Sequence, residues 1–204
     1  MPKSTRPRQR DLERTRSALL SAARQEVKKR GIGVSLDAIA RASGVSKGGL
    51  LHHFPTKDEL LFALIKDVYE EFEAEVTRRA AEEPAGPGRL ARAYVRATFH
   101  ELRAPDLLLE HSTLLSFLSM IPSISEFARE ELTHWTDTLS SDGISADVVR
   151  LVMLAADGAS VGMLSMQTPS PSDLDDLEHQ LVTLIKRHET VAELIHGHNP
   201  LPSP

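Results

Sequence analysis

The feature that most constrains the fold is a small-residue turn between two short helical patterns in the N-terminal third of the chain. Before the turn, Leu36, Ile39 and Ala40 share one helical face, and Ser35 can cap the helix that they form. Gly44 can adopt the left-handed conformation that ends a helix, and a second helix can begin directly after it. The pattern therefore predicts a helix-turn-helix, whose second helix presents its first residues to the major groove of DNA.

The first turn of the second helix contains two adjacent glycines. Ser46 is a suitable N-cap, and Lys47, Gly48 and Gly49 follow it. Each glycine costs roughly 1 kcal/mol of helix propensity relative to alanine, so the pair favours a helix end that approaches a phosphate backbone closely. The residues predicted to contact DNA, from this motif and its flanks, are Ser35, Ser46, Lys47, Gly48, Gly49, His52, His53 and Lys57.

Short runs on both sides of the turn extend the motif. They are GVSKG at 44–48, HFP at 53–55, and Lys57 at the start of a long acidic and apolar helical pattern. Together these runs resemble the N-terminal domain of TetR-family transcriptional regulators. The sequence departs from the family pattern at Leu51 and His52, where members usually carry a tyrosine whose hydroxyl contacts a phosphate. The resemblance implies a DNA-binding homodimer whose remaining helices bind a small molecule and form the dimer interface.

The charge distribution agrees with a protein that meets DNA at one end only. Residues 1–60 hold 13 Lys and Arg against 6 Asp and Glu, whereas residues 61–204 hold 11 against 23. A basic segment joined to an acidic remainder can bind phosphates locally, although the net charge of the whole chain is -5. We therefore expect double-stranded DNA as a partner of the N-terminal part.

Composition excludes several other classes of protein. The chain has no cysteine, which excludes disulfides, zinc thiolate sites and a cysteine nucleophile. We find no apolar run of about 20 residues and no secretory leader, so we expect a cytoplasmic chain that does not enter a membrane. The histidines form no metal-binding spacing, and no phosphate loop or nucleophile elbow occurs. We expect no catalytic residue, no metal and no cofactor.

The apolar periodicity is helical throughout, so the predicted fold is all-α, with a three-helix DNA-binding domain followed by a helical ligand-binding and dimerisation domain. The last helix is predicted to be capped by Ser172 or Asp173 and to run to about Ile195. The N-terminal arm has two interpretations: a solvated tail, or a basic segment that reaches phosphates or the minor groove. The predicted divisions are a basic flexible arm at 1–11, the DNA-binding domain at 12–55, the regulatory domain at 56–196 and a disordered tail at 197–204.

A mainly apolar ligand pocket is expected in the helical body, on helices that the family arranges around its pocket. Ordinary core packing would explain the same large residues equally well. Asp157 lies among apolar residues and must be paired if it is buried, and it could face either the pocket or the dimer interface. The candidate pocket residues are Phe72, Tyr94, Phe99, Phe117, Met120, Phe127, Trp135, Asp157 and Met163.

Small residues on the penultimate helix predict a close helix-helix contact. Ala155, Ala159 and Gly162 follow an i, i+4, i+7 spacing that lets another helix approach. By resemblance, the last two helices join those of a second chain in a four-helix bundle. The predicted interface residues are Ala155, Ala159, Gly162, Leu177, Leu181 and Leu184.

The function predicted from these features is that of a ligand-responsive transcriptional regulator, most simply a repressor that binds a near-palindromic operator as a dimer. A small-molecule inducer of unknown identity would favour a conformation that no longer fits the operator. The alternative is the same DNA-binding dimer controlled by a protein partner. An all-α enzyme would need an acid-base constellation that the sequence does not offer.

Overall fold

The computed structural model describes residues 6–119, 121–164 and 170–196. These ranges contain α-helices and one short 3-10 turn but no strand, which confirms the all-α prediction. None of the helices in these ranges combines the length and the apolar character that crossing a membrane requires. The helices are α1 (Arg6–Arg30), α2 (Leu36–Ser43), α3 (Lys47–His53), α4 (Lys57–Glu82), α5 (Arg89–Leu102), α6 (Pro105–Leu118), α7 (Pro122–Ser140), α8 (Ala146–Leu164), α9 (Pro171–Lys186) and α10 (His188–His196), with the 3-10 turn at Gly31–Gly33.

The chain divides into two compact units. The first takes the residues up to Glu70 together with Glu110–Phe127, and the second takes Glu71–Leu109 and the residues from Ala128 onward. Each unit has its own buried apolar core. The first unit is therefore larger than the three helices predicted from the sequence, because it also includes parts of α4, α6 and α7.

The core of the first unit fixes the short helices of the motif. Ile39 of α2 and Leu50 of α3 are completely buried against α1 and the first turns of α4. Burial of one such side chain contributes roughly 1.5–3 kcal/mol, which a seven-residue helix needs because it is unstable alone. Helix α3 ends at His53, since Pro55 disfavours a helical conformation at Phe54, whose backbone is extended.

An ion-pair cluster joins α6 to α1 within the first unit. Glu110 accepts hydrogen bonds from Lys28 at 2.5 Å and from Arg24 at 3.4 Å, and Arg24 also reaches Asp67 of α4 at 3.0 Å. Burial raises the pKa of Glu110, but the contacts with Lys28 and Arg24 outweigh burial and lower it below its ordinary value. The middle of α6 is thereby held on α1, which in turn is held on α4.

The core of the second unit is built mainly from α5, α8 and α9. Phe99, Leu139, Val149 and Ile185 lie in this core with almost no exposure. Gly88, before α5, has a φ of 74°, and a Cβ there would lie 2.4 Å from a methyl group of Ile185. Glycine is therefore required at this position both by the backbone conformation and by the close approach of α9.

Three sequence-based expectations about helix ends need correction. Helix α1 begins at Arg6, so residues 6–11 of the predicted flexible arm are helical, while residues 1–5 lie outside the described residues. The predicted last helix is divided at Arg187, after which α10 packs Val191 and Ala192 against the core of the second unit. Ser170, rather than Ser172 or Asp173, caps α9. The predicted disordered tail at 197–204 lies outside the described residues.

Candidate nucleic-acid interface

Serine hydroxyls set the geometry of the two motif helices. The Oγ of Ser35 accepts a hydrogen bond from the amide of Ala38 at 3.2 Å, and the Oγ of Ser46 accepts one from the amide of Gly49 at 3.1 Å. Gly44 closes α2 with a φ of 70°. These contacts confirm the predicted caps and leave each serine O–H able to donate to an approaching phosphate.

Lys47 and Asp37 form an ion pair that joins α3 to α2. The Nζ of Lys47 lies 3.0 Å from Oδ1 and 3.3 Å from Oδ2 of Asp37. Both side chains remain largely exposed, at 59% for Lys47 and 51% for Asp37. Lys47 was identifiable from the sequence but its partner was not, since a contact between two helices is not visible in a helical periodicity.

The two glycines of α3 have different environments. A Cβ at Gly48 would meet no atom within 4 Å, whereas a Cβ at Gly49 would lie 2.9 Å from Cγ1 of Val45 and 3.2 Å from Oγ of Ser46. Packing inside the turn therefore accounts for Gly49 without any DNA. Packing within the protein does not account for Gly48, so a close approach of the helix to DNA stays the interpretation for this glycine.

Two adjacent histidines near the end of α3 differ in exposure and contact each other. His52 is exposed and His53 is half-buried, and their rings meet edge to face with centroids 5.7 Å apart. The next residue, Phe54, is buried, and the guanidinium of Arg16 lies 4.7 Å from its ring centroid. Leu51 is exposed and apolar, so of the two positions where the family usually has tyrosine only His52 carries a side chain that can donate a hydrogen bond.

Lys57 is held by the backbone of the 3-10 turn. Its Nζ donates a hydrogen bond to the carbonyl oxygen of Ile32, and the residue is half-buried. Thr56 and Glu59 form a cap beside it, with the amide of Glu59 donating to Oγ1 of Thr56 at 3.1 Å. The ammonium is thus already oriented in the free protein, and its remaining N–H groups can still reach an acceptor.

An aromatic cluster in the second unit brings together three of the predicted pocket residues. The rings of Phe72, Tyr94 and Trp135 meet edge to face, with centroids between 5.3 and 5.8 Å apart. The hydroxyl of Tyr94 donates to Oδ1 of Asp157 at 3.1 Å. Asp157 is exposed as a whole residue, but partial desolvation by its neighbours raises the pKa of its carboxyl, and the Tyr94 hydrogen bond opposes that rise. Asp157 therefore turns its carboxyl towards the aromatic cluster.

The other predicted pocket residues do not all join this cluster. Phe99 belongs to the same apolar core, but Phe117 and Phe127 pack in the first unit, against Gly31 and against Phe62 and Tyr69 respectively. These rings therefore pack in the apolar cores of two different units, and their grouping around one ligand stays a prediction. Met120 lies outside the described residues, and so does the side chain of Met163.

The residues predicted for the dimer interface differ in how far they are buried within the protomer. Leu181 is only 3% exposed and belongs to the core of the second unit, so its assignment to a dimer surface was wrong. Ala155, Ala159 and Leu177 pack partly against that core. Leu184 is exposed, and a Cβ at the half-buried Gly162 would meet no atom within 4 Å.

The larger apolar surface of α8 lies beside the predicted small-residue face. Leu151, Leu154 and Val161 are all exposed, with Leu154 reaching 69%. Together with Gly158 they follow an i, i+3, i+7, i+10 spacing and so share one face. We call these four residues the α8 ridge. The same spacing was available in the sequence, but it could not be distinguished there from a core-facing stripe.

Within the described residues, no group of three or more His, Asp or Glu side chains is arranged to hold a metal ion.

Family models match both parts of the chain. The model described as bacterial regulatory proteins, tetR family, matches residues 19–64, and the model described as tetracyclin repressor-like, C-terminal domain, matches residues 88–186. The first match contains α2, α3 and their caps, and the second contains most of the aromatic cluster and the α8 ridge.

Similar proteins are transcriptional regulators. The regulator PksA of Bacillus subtilis (strain 168) is 31% identical over 125 residues, which are 61% of this chain and 50% of PksA. The regulator RutR of Escherichia coli (strain K12) is 33% identical over 95 residues, which are 46% of this chain and 44% of RutR. The chain thus spans about half the length of the curated relatives that it matches.

Solved structures share the fold. The multidrug binding protein EbrR, complexed with malachite green, matches with a TM-score of 0.67 and 23% identity, over 83% of this chain and 97% of that chain. A TetR transcription regulator from Haloarcula marismortui ATCC 43049 matches with a TM-score of 0.68 and 16% identity, over 86% of this chain and 98% of that chain. At these identities the likeness is one of fold.

Proposed function

The chain belongs to the TetR family of bacterial transcriptional regulators, and from that membership we propose that it is a ligand-responsive repressor. At the level of the family it is a DNA-binding regulator rather than an enzyme. In this proposal, a cytoplasmic homodimer binds a near-palindromic operator and releases it when a small molecule binds to the second unit.

The observation that carries the proposal is the outer surface of α3. Leu50 fixes the helix to the core, while Lys47, Gly48 and His52 remain exposed on it. Lysine donates well to guanine O6 and N7, and a glycine lets a helix backbone approach DNA closely. Two such helices related by a two-fold axis would read half-sites about one helical turn, roughly 34–36 Å, apart.

Supporting the dimer, the α8 ridge is a large apolar surface with nothing from its own chain over it in the described residues. A Cβ at Gly158 would meet no atom within 4 Å, so this helix glycine has no packing reason in one protomer. Exposed apolar faces of this kind indicate an association surface, and a second copy related by a two-fold axis would cover it with the same face. Leu184 of α9 is also exposed and is a further candidate for the interface.

Supporting the ligand, the aromatic cluster and the carboxyl of Asp157 form a mainly apolar environment with one polar group. Such a combination is typical of small-molecule sites, where rings supply contact area and a polar atom fixes orientation. EbrR, which shares this fold, is a multidrug binding protein complexed with malachite green. We propose that an organic small molecule binds among these residues and shifts the population away from the DNA-binding conformation.

Selection of bound DNA from a random pool by the full chain tests the DNA-binding proposal. We expect recovery of a near-palindrome with two half-sites one helical turn apart. Recovery of unrelated sequences, with no preference over scrambled DNA, would remove the operator model.

Mass spectrometry under native conditions then tests the inducer separately. We expect a small molecule that copurifies with the dimer, and its addition should release the selected DNA. A purified protein that binds the selected DNA tightly and is released only by another protein would favour control by a protein partner.

A further inference from the structure

The ion pair between Asp37 and Lys47 places a carboxylate inside the proposed DNA-binding surface. Asp37 stands in the first turn of α2, and Lys47 stands at the start of α3. The lysine ammonium lies within 3.3 Å of both carboxylate oxygens, and both side chains are open to solvent. An exposed pair of this kind contributes little to stability, so folding alone is a weak reason for an acidic residue on a surface that meets phosphates.

The carboxylate changes which acceptors Lys47 can use. An ammonium group has three N–H donors, so Lys47 can keep its contact with Asp37 and still donate to a second acceptor. If that acceptor is a phosphate, its full negative charge comes close to the negative charge of Asp37, and the two repel each other. If it is guanine O6 or N7, the acceptor is neutral and the repulsion is much smaller.

We propose that Asp37 is a specificity-determining residue, which orients Lys47 and directs it away from phosphates and towards neutral base edges. The inference rests on the proposed operator binding and deepens it. Asp37 acts through Lys47, so it is a positioning residue and contacts no base itself. Its effect is to weaken binding to non-operator DNA, where Lys47 would otherwise neutralise one more phosphate.

Asp58 provides a matched control within the same unit. Asp37 is the second residue of α2 and Asp58 is the second residue of α4, so both lie in a first helical turn. Asp58 is also exposed, and among the described residues no ion pair involves it. Asp58→Asn therefore removes the same charge from the same helical position without releasing a lysine.

The test compares binding of the full chain to the selected operator and to a scrambled duplex of equal composition, at several salt concentrations. We expect Asp37→Asn to tighten binding to scrambled DNA by about three- to tenfold and to reduce the operator preference by a similar factor. Its salt dependence on scrambled DNA should steepen by about one unit per half-site, since Lys47 then contacts a phosphate. Asp58→Asn should change both affinities by the same factor, and Asp37→Glu should keep the preference because it retains the carboxylate.

The double variant Asp37→Asn/Lys47→Ala assigns the effect to the pair. In the Lys47→Ala background, Asp37→Asn should act like Asp58→Asn and leave the ratio of the two affinities unchanged. Thermal melts followed by circular dichroism check that each variant is folded, and Asp37→Ser replaces Asp37→Asn if the latter unfolds. Two results would overturn the inference while the operator model stands. In one, Asp37→Asn leaves the ratio of operator affinity to scrambled-DNA affinity unchanged. In the other, Asp37→Asn changes this ratio equally in the Lys47→Ala background. A wild-type protein without any preference would overturn the operator model and this inference together.

Discussion

Charged side chains in the second unit differ in how deeply they are buried. Burial determines how much the loss of one of them lowers the free energy of unfolding. Arg92 is only 6% exposed, and its Nε donates to the similarly buried Glu83 at 2.8 Å. Its guanidinium also donates to the carbonyl oxygens of Pro84 and Pro87 at 2.8 and 2.9 Å. Burial raises the pKa of Glu83, but hydrogen bonds from Arg92 and Arg96 outweigh it and hold the pKa below its ordinary value.

We expect Arg92→Ala to lower the free energy of unfolding by about 3–5 kcal/mol, because it leaves a buried carboxylate and two carbonyls with fewer donors. Lys66→Ala is the control, since the exposed ammonium of Lys66 pairs with the exposed Glu70 at 3.5 Å on the surface of α4. Its loss should be about 0–1 kcal/mol. Urea titrations at neutral pH measure both, and equal losses would contradict a special role for burial.

Glu75 makes part of the stability depend on pH. The hydrogen bond from Arg78 has the largest effect on the pKa of its carboxyl. Burial opposes it, but the hydrogen bond from Arg79 and the charges of both arginines add to it, and the pKa falls from 4.5 to about 2. A carboxylate with a lowered pKa stabilises the fold fully above pH 4.5, and this contribution is lost as the pH falls towards 2.

Glu75→Gln should therefore destabilise the protein at pH 6–7, and its difference from wild type should shrink as the pH falls from about 4.5 towards 2. Urea titrations over this pH range give the difference. Glu73→Gln, at an exposed position on the same helix, should show no comparable convergence. A constant difference between wild type and Glu75→Gln at all pH values would refute the linkage.

At the scale of a helix, the two glycines of α3 separate a folding role from a binding role. Alanine at Gly48 meets empty space, so Gly48→Ala should stabilise α3 by up to about 1 kcal/mol through helix propensity. Alanine at Gly49 collides with Val45, and overpacking of about 1–3 kcal/mol should exceed the same gain in propensity.

We therefore expect Gly48→Ala to raise the melting temperature while weakening operator binding, and Gly49→Ala to lower the melting temperature. Calorimetry and DNA titration on the two variants decide this. Unchanged operator affinity in a folded Gly48→Ala variant would show that α3 does not need to approach DNA closely at this point.

The α2–α3 motif was predictable because its signals are local. A serine cap, a left-handed glycine and a proline each act on neighbouring residues, and the structure has all of them where the sequence placed them. The break at Arg187 was not predictable, since no glycine or proline marks it and it coincides with the packing of α10 on the core. For the same reason, the pairing of Asp37 with Lys47 required the tertiary structure.

The amphipathic periodicity of α8 and α9 is visible in the sequence, but it does not determine which apolar stripe of each helix packs against the chain's own core. Leu181 and Leu184 are three residues apart on α9, yet one is buried and the other is exposed. The sequence located the helices of the candidate interface, and only packing separates residues that fold the protomer from residues available to a partner. The same limit applied to the aromatic residues, which the structure divides between two cores.

At the scale of the whole molecule, operator recognition by two half-sites requires two chains, so dimerisation and DNA affinity should fail together. Leu154 of the α8 ridge is 69% exposed in the protomer. If a second copy covers it, Leu154→Glu loses roughly 1.5–3 kcal/mol of burial in each chain and also buries a charge. Because a two-fold interface contains the residue twice, the dimer should weaken by a factor of about 10² or more.

Leu132→Glu is the matched control, since Leu132 is an exposed leucine on α7 with 53% exposure. Sedimentation velocity at micromolar concentration should give a monomer for Leu154→Glu and a dimer for wild type and Leu132→Glu. Titration with the selected operator should show the same division, because a monomer contacts one half-site and loses the contribution of the other. A Leu154→Glu variant that remains a dimer would place the interface elsewhere, and a monomer with full operator affinity would refute recognition by two half-sites.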